Sequence, residues 1–167
     1  VFVRPGELRK LKWSEINLEE KRWYLPASKA KSDRDLVVPL SKQVIKILND
    51  LKPITGKRPY VFAGPREFNG HMSENTINKA LKSLGWDTQT DITGHGFRAM
   101  ARTVLSERLG FEDKIIELQI SHKVLDHLGR TYNRTEFIEQ RTEMMQKWAD
   151  YLDKLAAGAD VLDFKRA

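Results

Sequence analysis

Residues 13–41, WSEINLEEKRWYLPASKAKSDRDLVVPLS, carry the strongest strand signal in the chain. β-forming side chains fall at Trp13, Ile16, Trp23, Tyr24 and Leu25, and again at Leu36, Val37 and Val38. Two polar clusters, Asn17–Lys21 and Ser28–Asp33, separate them. Short extended runs broken by turn residues read as hairpin-linked strands, hence a small three-stranded antiparallel sheet. A sheet this small cannot bury its apolar face alone. The rest of the chain must cover it, and the rest reads as helix.

VFVRPGELRKLKW opens on a short helix, with Pro5 suited to a first turn and Glu7 near the N-terminal end. SKQVIKILNDLK predicts a helix with Ser41 as N-cap and Val44, Ile45, Ile47, Leu48 and Leu51 on one face. Pro53–Pro59 reads as a loop, YVFAG as a short buried strand or extended segment, and Gly64–Met72 as a second loop. SENTINKALKSLG predicts a short helix ended by Gly85, with Ile77, Ala80, Leu81 and Leu84 on its apolar face. HGFRAMARTVLSERLG, closed by Gly110, and FEDKIIELQISH predict two more. TEFIEQRTEMMQKWADYLDKLAAG predicts a long last helix, with Thr135 as cap and Phe137, Ile138, Arg141, Met144, Met145, Trp148 and Leu152 along one side. The expected fold is α+β, mainly α-helical, with one small antiparallel sheet. Residues 1–158 read as one domain and 159–167 as a tail expected to be mobile. The start, without methionine and directly into a helix, reads as a domain cut from a longer chain.

The 167 residues suffice for one domain with a core. No apolar run is long enough to predict a transmembrane helix, and no secretory leader is visible. Cysteine is absent, which excludes disulfides, thiolate-held zinc and thiol nucleophiles, and fits a reducing compartment. The net charge is +6, unevenly spread. Residues 1–134 hold 24 Lys and Arg against 16 Asp and Glu, a net of +8; the remainder holds 5 against 7. A basic body suits a polyanion such as DNA, although a solvated basic surface has the same composition.

In GHGFR, His95 and Arg98 stand three apart, so they are expected to share a helix face, anchored by Phe97, Met100, Ala101 and Val104 on a neighbouring face. Gly94 and Gly96 allow close backbone approach. An Arg–His pair suits a phosphate: the guanidinium grips two oxygens and the imidazole a third. In RPGEL, Glu7 either holds Arg4 or serves as a first-turn carboxylate. The hairpin turn SKAKSDR offers Lys29 and Lys31. ISHKVLDHLGRTYNRT contains His122 and Tyr132. Tyr24, Tyr60 and Tyr151 read as sheet or core aromatics, and His71 and His127 lack an obvious partner set. No histidine pair has ligand spacing and no acidic cluster accompanies them, so no metal site is expected.

Taken in order, Arg4 in RPGEL, a lysine in the turn before VVPLS, His95-x-x-Arg98, His122 in ISHK and then Tyr132 resemble the tyrosine recombinase, or phage integrase, family. VVPLS and YNRTEFIEQRTEMMQKWADYL are similar to integrases of prophages and genomic islands. The resemblance covers nearly the whole chain. It implies that Arg4, His95, Arg98 and His122 surround a scissile phosphate, that Glu7 positions Arg4, and that Lys31, chosen over Lys29 by its distance from VVPLS, is the general acid. Tyr132 would be the nucleophile, with Lys29, Arg34, Arg130 and Arg134 as DNA-contact candidates. No cofactor is implied. The implied partners are double-stranded DNA attachment sites, further copies of the chain in a tetramer on DNA, and directionality or host bending factors, all in the bacterial cytoplasm at the nucleoid. There are two departures: Ile-Ser-His occupies a place where Leu-Gly-His or Leu-Ala-His is common, and the helices and core-binding domain expected before Arg4 are not in this sequence, so the domain is expected to need them for cleavage. A type IB topoisomerase-like enzyme, a non-catalytic DNA-binding module and a His/Lys nuclease are the alternatives.

Overall fold

The computed structural model describes residues 1–65, 68–122 and 137–158. Six helices and three strands follow in the order α1 (Pro5–Leu8), β1 (Ile16–Asn17), β2 (Arg22–Leu25), β3 (Leu36–Pro39), α2 (Lys42–Thr55), α3 (Thr76–Ser83), α4 (Gly96–Glu107), α5 (Asp113–Gln119) and α6 (Ile138–Ala156). The architecture is the expected helical α+β one, with a single three-stranded antiparallel sheet in the order β1-β2-β3.

Trp23 pairs with Ile16 on one side and Val38 on the other, and Leu25 pairs with Leu36. The first strand is shorter than expected because Trp13 opens a 3-10 turn, Trp13–Glu15. Its indole donates to the Thr55 carbonyl at 3.1 Å, which pulls it out of line with the strand. Pro39 ends the edge strand, where a missing N–H is tolerated.

Ser41 caps α2, its hydroxyl accepting from the Val44 N–H at 3.4 Å. The helix runs through Pro53 rather than stopping before it. Pro53 stands in the last turn, so the ladder bond it removes and the crowding it brings fall near the end of the helix. Ile47, expected on the apolar face of α2, is exposed, and Leu48 alone of that helix is buried. No residue of α3 is buried. The YVFAG segment forms isolated bridges from Tyr60 to Lys12 and from Ala63 to His71, not a strand. The last helix begins with Phe137 in a left-handed conformation as its N-cap; the expected cap, Thr135, lies outside the described residues, as do residues 159–167.

Two apolar clusters form the interior. One gathers Val3, Leu11, Trp23, Leu25, Val38, Leu48 and Val61 around the sheet. The other gathers Phe2, Leu105, Ile116, Ile120, Met144 and Trp148 among α4, α5 and α6. Arg141 crosses between them, donating from Nη2 to the Val37 carbonyl at 2.6 Å and from Nε to Gln119 at 3.0 Å. Burial, with repulsion from Arg22, pushes its guanidinium down to about 10.

Candidate functional site

Glu7 is buried at the third position of α1. Its Oε2 accepts the Arg4 backbone N–H at 2.8 Å, and its Oε1 lies 3.5 Å from Arg4 Nη1. The same Oε1 accepts the backbone N–H of Lys31 at 3.0 Å. One carboxylate thus orients Arg4 and also anchors the β2–β3 turn, whose distance of 24 residues in sequence hid the second contact.

The two lysines of that turn differ. The Lys29 ammonium pairs with Glu15 and donates to the Lys10 carbonyl at 3.3 Å. Lys31 is exposed, and among the described residues only its backbone is engaged. Arg34, farther along the turn, is also exposed.

α4 starts where α3 packs closely on the preceding loop. A Cβ on Gly94 would lie 3.1 Å from Ile77 Cγ2, so a larger residue would push α4 away. Thr93 Oγ1 accepts the Gly96 N–H at 3.1 Å, while His95, the N-cap, has an exposed side chain. The expected arrangement of this helix needs correcting. Phe97 and Met100 are about two-fifths exposed, and Arg98 is buried together with Ala101 and Leu105. His95 and Arg98 therefore differ in burial, because Arg98 is drawn inward by two carbonyls. Its Nη1 donates to Phe2 O and its Nη2 to Ile120 O, the latter at 2.7 Å. Burial, with repulsion from Arg4, pushes the Arg98 guanidinium below its ordinary value; Glu7 and Glu117 act the other way. Arg4 and Arg98 thus lie within each other's field.

His122 follows a turn that closes α5. Ser121 adopts φ 60°, the left-handed region that suits glycine, and the His122 N–H donates to the Glu117 carbonyl at 2.9 Å. The Ser121 hydroxyl meets the Ser32 hydroxyl at 2.8 Å. Lys31 and His122 therefore sit beside two linked residues, although 89 positions separate the serines. The His122 ring meets Glu117, Nδ1 to Oε2, at 2.5 Å.

The described residues thus bring together the surroundings of Arg4, Lys31, Arg98 and His122 through Glu7, the serine pair and the Arg98 carbonyl contacts. Tyr132, Arg130 and Arg134 lie outside the described residues, as does His127. His71 has a partner set after all: Arg9 Nη1 at 3.2 Å and the Met72 carbonyl at 2.9 Å from its Nδ1. Glu117 and Ser32 are not singled out by the sequence pattern, and Ser121 stands out there only as the departure in Ile-Ser-His. Glu117 is the more legible of the two, a carboxylate five residues before the histidine.

The sequence matches the phage integrase family over residues 2–139. It is 40% identical over 165 residues to an integrase of Enterobacteria phage P4, covering 91% of this chain and 38% of that protein. It is 37% identical over 161 residues to prophage integrase IntA of Escherichia coli K12, covering 96% and 38%. The chain therefore spans less than half the length of these relatives. Among solved structures, the integrase from mycobacterium phage Brujita superposes with a TM-score of 0.63 at 20% identity, over 86% of this chain and 46% of that one. XerA recombinase superposes with a TM-score of 0.59 at 20% identity, over 96% and 53%. Both likenesses concern the fold.

Proposed function

Because this chain belongs to the phage integrase family, we propose that the protein containing it cuts and rejoins DNA at specific sites through a 3′-phosphotyrosine intermediate, to integrate or excise a mobile element. The observation that carries the reading is the Glu7 contact with both Arg4 and the Lys31 turn. It ties Arg4, in this reading a cation for the phosphate, and the backbone of Lys31, in this reading the proton donor, to one buried carboxylate.

Cleaving DNA without a metal makes three demands. A nucleophile attacks phosphorus, the charge growing on the phosphate oxygens is neutralised, and the 5′ oxygen leaves with a proton. In this reading Tyr132 is the nucleophile. Its phenol, with a reference pKa of ~10, loses its proton as it attacks. Arg4, Arg98, His95 and His122 face the phosphate. Two of the five N–H donors of Arg98 are held by carbonyls, which fixes the plane of the remaining three. A group held in place beforehand stabilises a transition state without reorganising during the reaction. Lys31 protonates the 5′ oxygen, and the commitment of Lys29 to Glu15 supports that choice. Lys29, Arg34, Arg130 and Arg134 serve as DNA contacts. The phosphotyrosine bond conserves the phosphodiester energy, so a 5′ hydroxyl from the exchanged strand attacks it and releases Tyr132 without a nucleotide cofactor. Strand exchange joins two sites, which calls for several copies on double-stranded DNA, four in this reading, with directionality or host bending factors as further partners at the bacterial nucleoid.

The test is a suicide DNA substrate incubated with the full-length protein and resolved under denaturing conditions. A covalent protein–DNA adduct is expected from wild type and from Tyr151→Phe, and none from Tyr132→Phe. Tyr151 is a suitable control because its hydroxyl accepts from Arg108 at 2.8 Å and its ring packs near Trp148. Cleavage without an adduct would point to a nuclease, and DNA binding alone to a non-catalytic module. Religation confined to the original strand would point to a topoisomerase.

A further inference from the structure

The His122 ring is not held by burial, since its side chain is 47% exposed. An imidazole that free would sample several orientations and both neutral tautomers. Glu117, five residues earlier on α5, removes that freedom. Its Oε2 meets Nδ1 at 2.5 Å, and its backbone carbonyl takes the His122 N–H at 2.9 Å. Ring and backbone of His122 are thus tied to the same residue.

Glu117 is itself held. Its Oε1 accepts from Arg102 Nε on α4 at 2.6 Å, and Arg102 Nη2 lies 3.9 Å from Asp113. Burial raises the Glu117 carboxyl, but the hydrogen bonds from Arg102 and His122 outweigh it and leave the group below its usual range. An ionised carboxylate only accepts hydrogen bonds, so Nδ1 must carry the proton. Nε2 is then the nitrogen left for a ligand.

We propose that Glu117 is a positioning residue for His122, fixing the Nδ1–H tautomer and aiming Nε2 at the scissile phosphate, with Arg102 anchoring the carboxylate from α4. The proposal rests on the recombinase reading above. A misplaced group in a preorganised site costs about 100-fold for an error near 1 Å, so loss of Glu117 should slow cleavage by about 10–100-fold with little change in DNA affinity.

The experiment uses full-length protein in two measurements. The first is the single-turnover rate of adduct formation for wild type, Glu117→Ala, Glu117→Gln, His122→Ala and the Glu117→Ala/His122→Ala double variant. Glu117→Gln keeps an acceptor oxygen and should recover most of the rate lost in Glu117→Ala. The double variant should be no slower than His122→Ala alone, because Glu117 acts only through the ring. Penalties that multiply would overturn the proposal and leave Glu117 a purely structural residue. The second is the histidine side-chain ¹⁵N spectrum at neutral pH, with the His122 signals assigned by their loss in His122→Ala. Wild type should show His122 protonated at Nδ1, and Glu117→Ala should move the neutral proton to Nε2. A wild-type ring protonated only at Nε2 would refute the proposal. Absence of any Tyr132-dependent adduct would instead remove the recombinase reading, and the spectrum would still decide whether Glu117 sets the tautomer.

Discussion

At the residue scale, neighbouring side chains of one type are separated by what already holds them. Lys29 and Lys31 are both hairpin lysines, yet Glu15 engages the first and leaves the ammonium of the second exposed. Lys31→Ala should therefore slow cleavage of an ordinary 5′ oxygen leaving group by about 100-fold or more, while Lys29→Ala changes it little. A bridging 5′-sulfur substrate, whose thiolate leaves unprotonated, should rescue Lys31→Ala. Equal defects in the two variants, or no rescue, would remove Lys31 from the role. Glu117 makes a prediction about stability. Its carboxyl is held below the unfolded value, so the stabilisation is complete above the unfolded pKa and fades as pH falls through the folded one. Urea midpoints of wild type should drop between neutral pH and about pH 3 by more than those of Glu117→Gln. A drop of the same size in both would show that the carboxylate adds no acid-sensitive stability. Residue type and order single out Arg4, Glu7, His95, Arg98 and His122 as candidates for one site. Burial is hidden, because the spacing puts Arg98 on a face beside the one that Phe97, Met100, Ala101 and Val104 are expected to anchor. Carbonyls of Phe2 and Ile120 carry no signature in a sequence, yet they reverse that assignment.

At the scale of elements, strands and helices with strong periodicity were legible, and their ends were less so. α2 runs past Pro53, where the sequence predicts a loop, and β1 gives up Trp13 to a 3-10 turn. The second departure comes from a contact between segments distant in sequence, the Trp13 indole with the Thr55 carbonyl. The turn after α5 shows how local conformation restricts residue choice. Ser121 adopts φ 60°, where a side chain costs about 1–2 kcal/mol and glycine costs nothing. Its hydroxyl contact with Ser32 returns about 0.5–1.5 kcal/mol. Ser121→Gly should therefore leave stability within about 0.5 kcal/mol of wild type, and Ser121→Ala, which keeps the strain and loses the contact, should lower it by about 1 kcal/mol. Denaturant unfolding checks both, and an alanine variant as stable as the glycine one would contradict the account. A small residue before the histidine is thus a backbone requirement, and serine meets it with an added link to the neighbouring turn.

At the scale of the whole molecule, the basic excess of residues 1–134 predicts DNA binding dominated by phosphate contacts. The affinity of the full-length protein should fall steeply, and linearly on logarithmic axes, as salt rises. A flat dependence would argue against a polyanion partner. Helical predominance and the single sheet were legible from pattern, but the division of the interior into two clusters was not, because both draw on the same apolar residue types. Val3 belongs to the cluster around the sheet and Phe2 to the one among the helices. Arg4 follows them directly, so its guanidinium stands at the end of a two-residue rivet through both halves. Any slip of one half against the other is delivered there first, and a site built on that rivet registers misalignment of the domain before either interior has lost its packing.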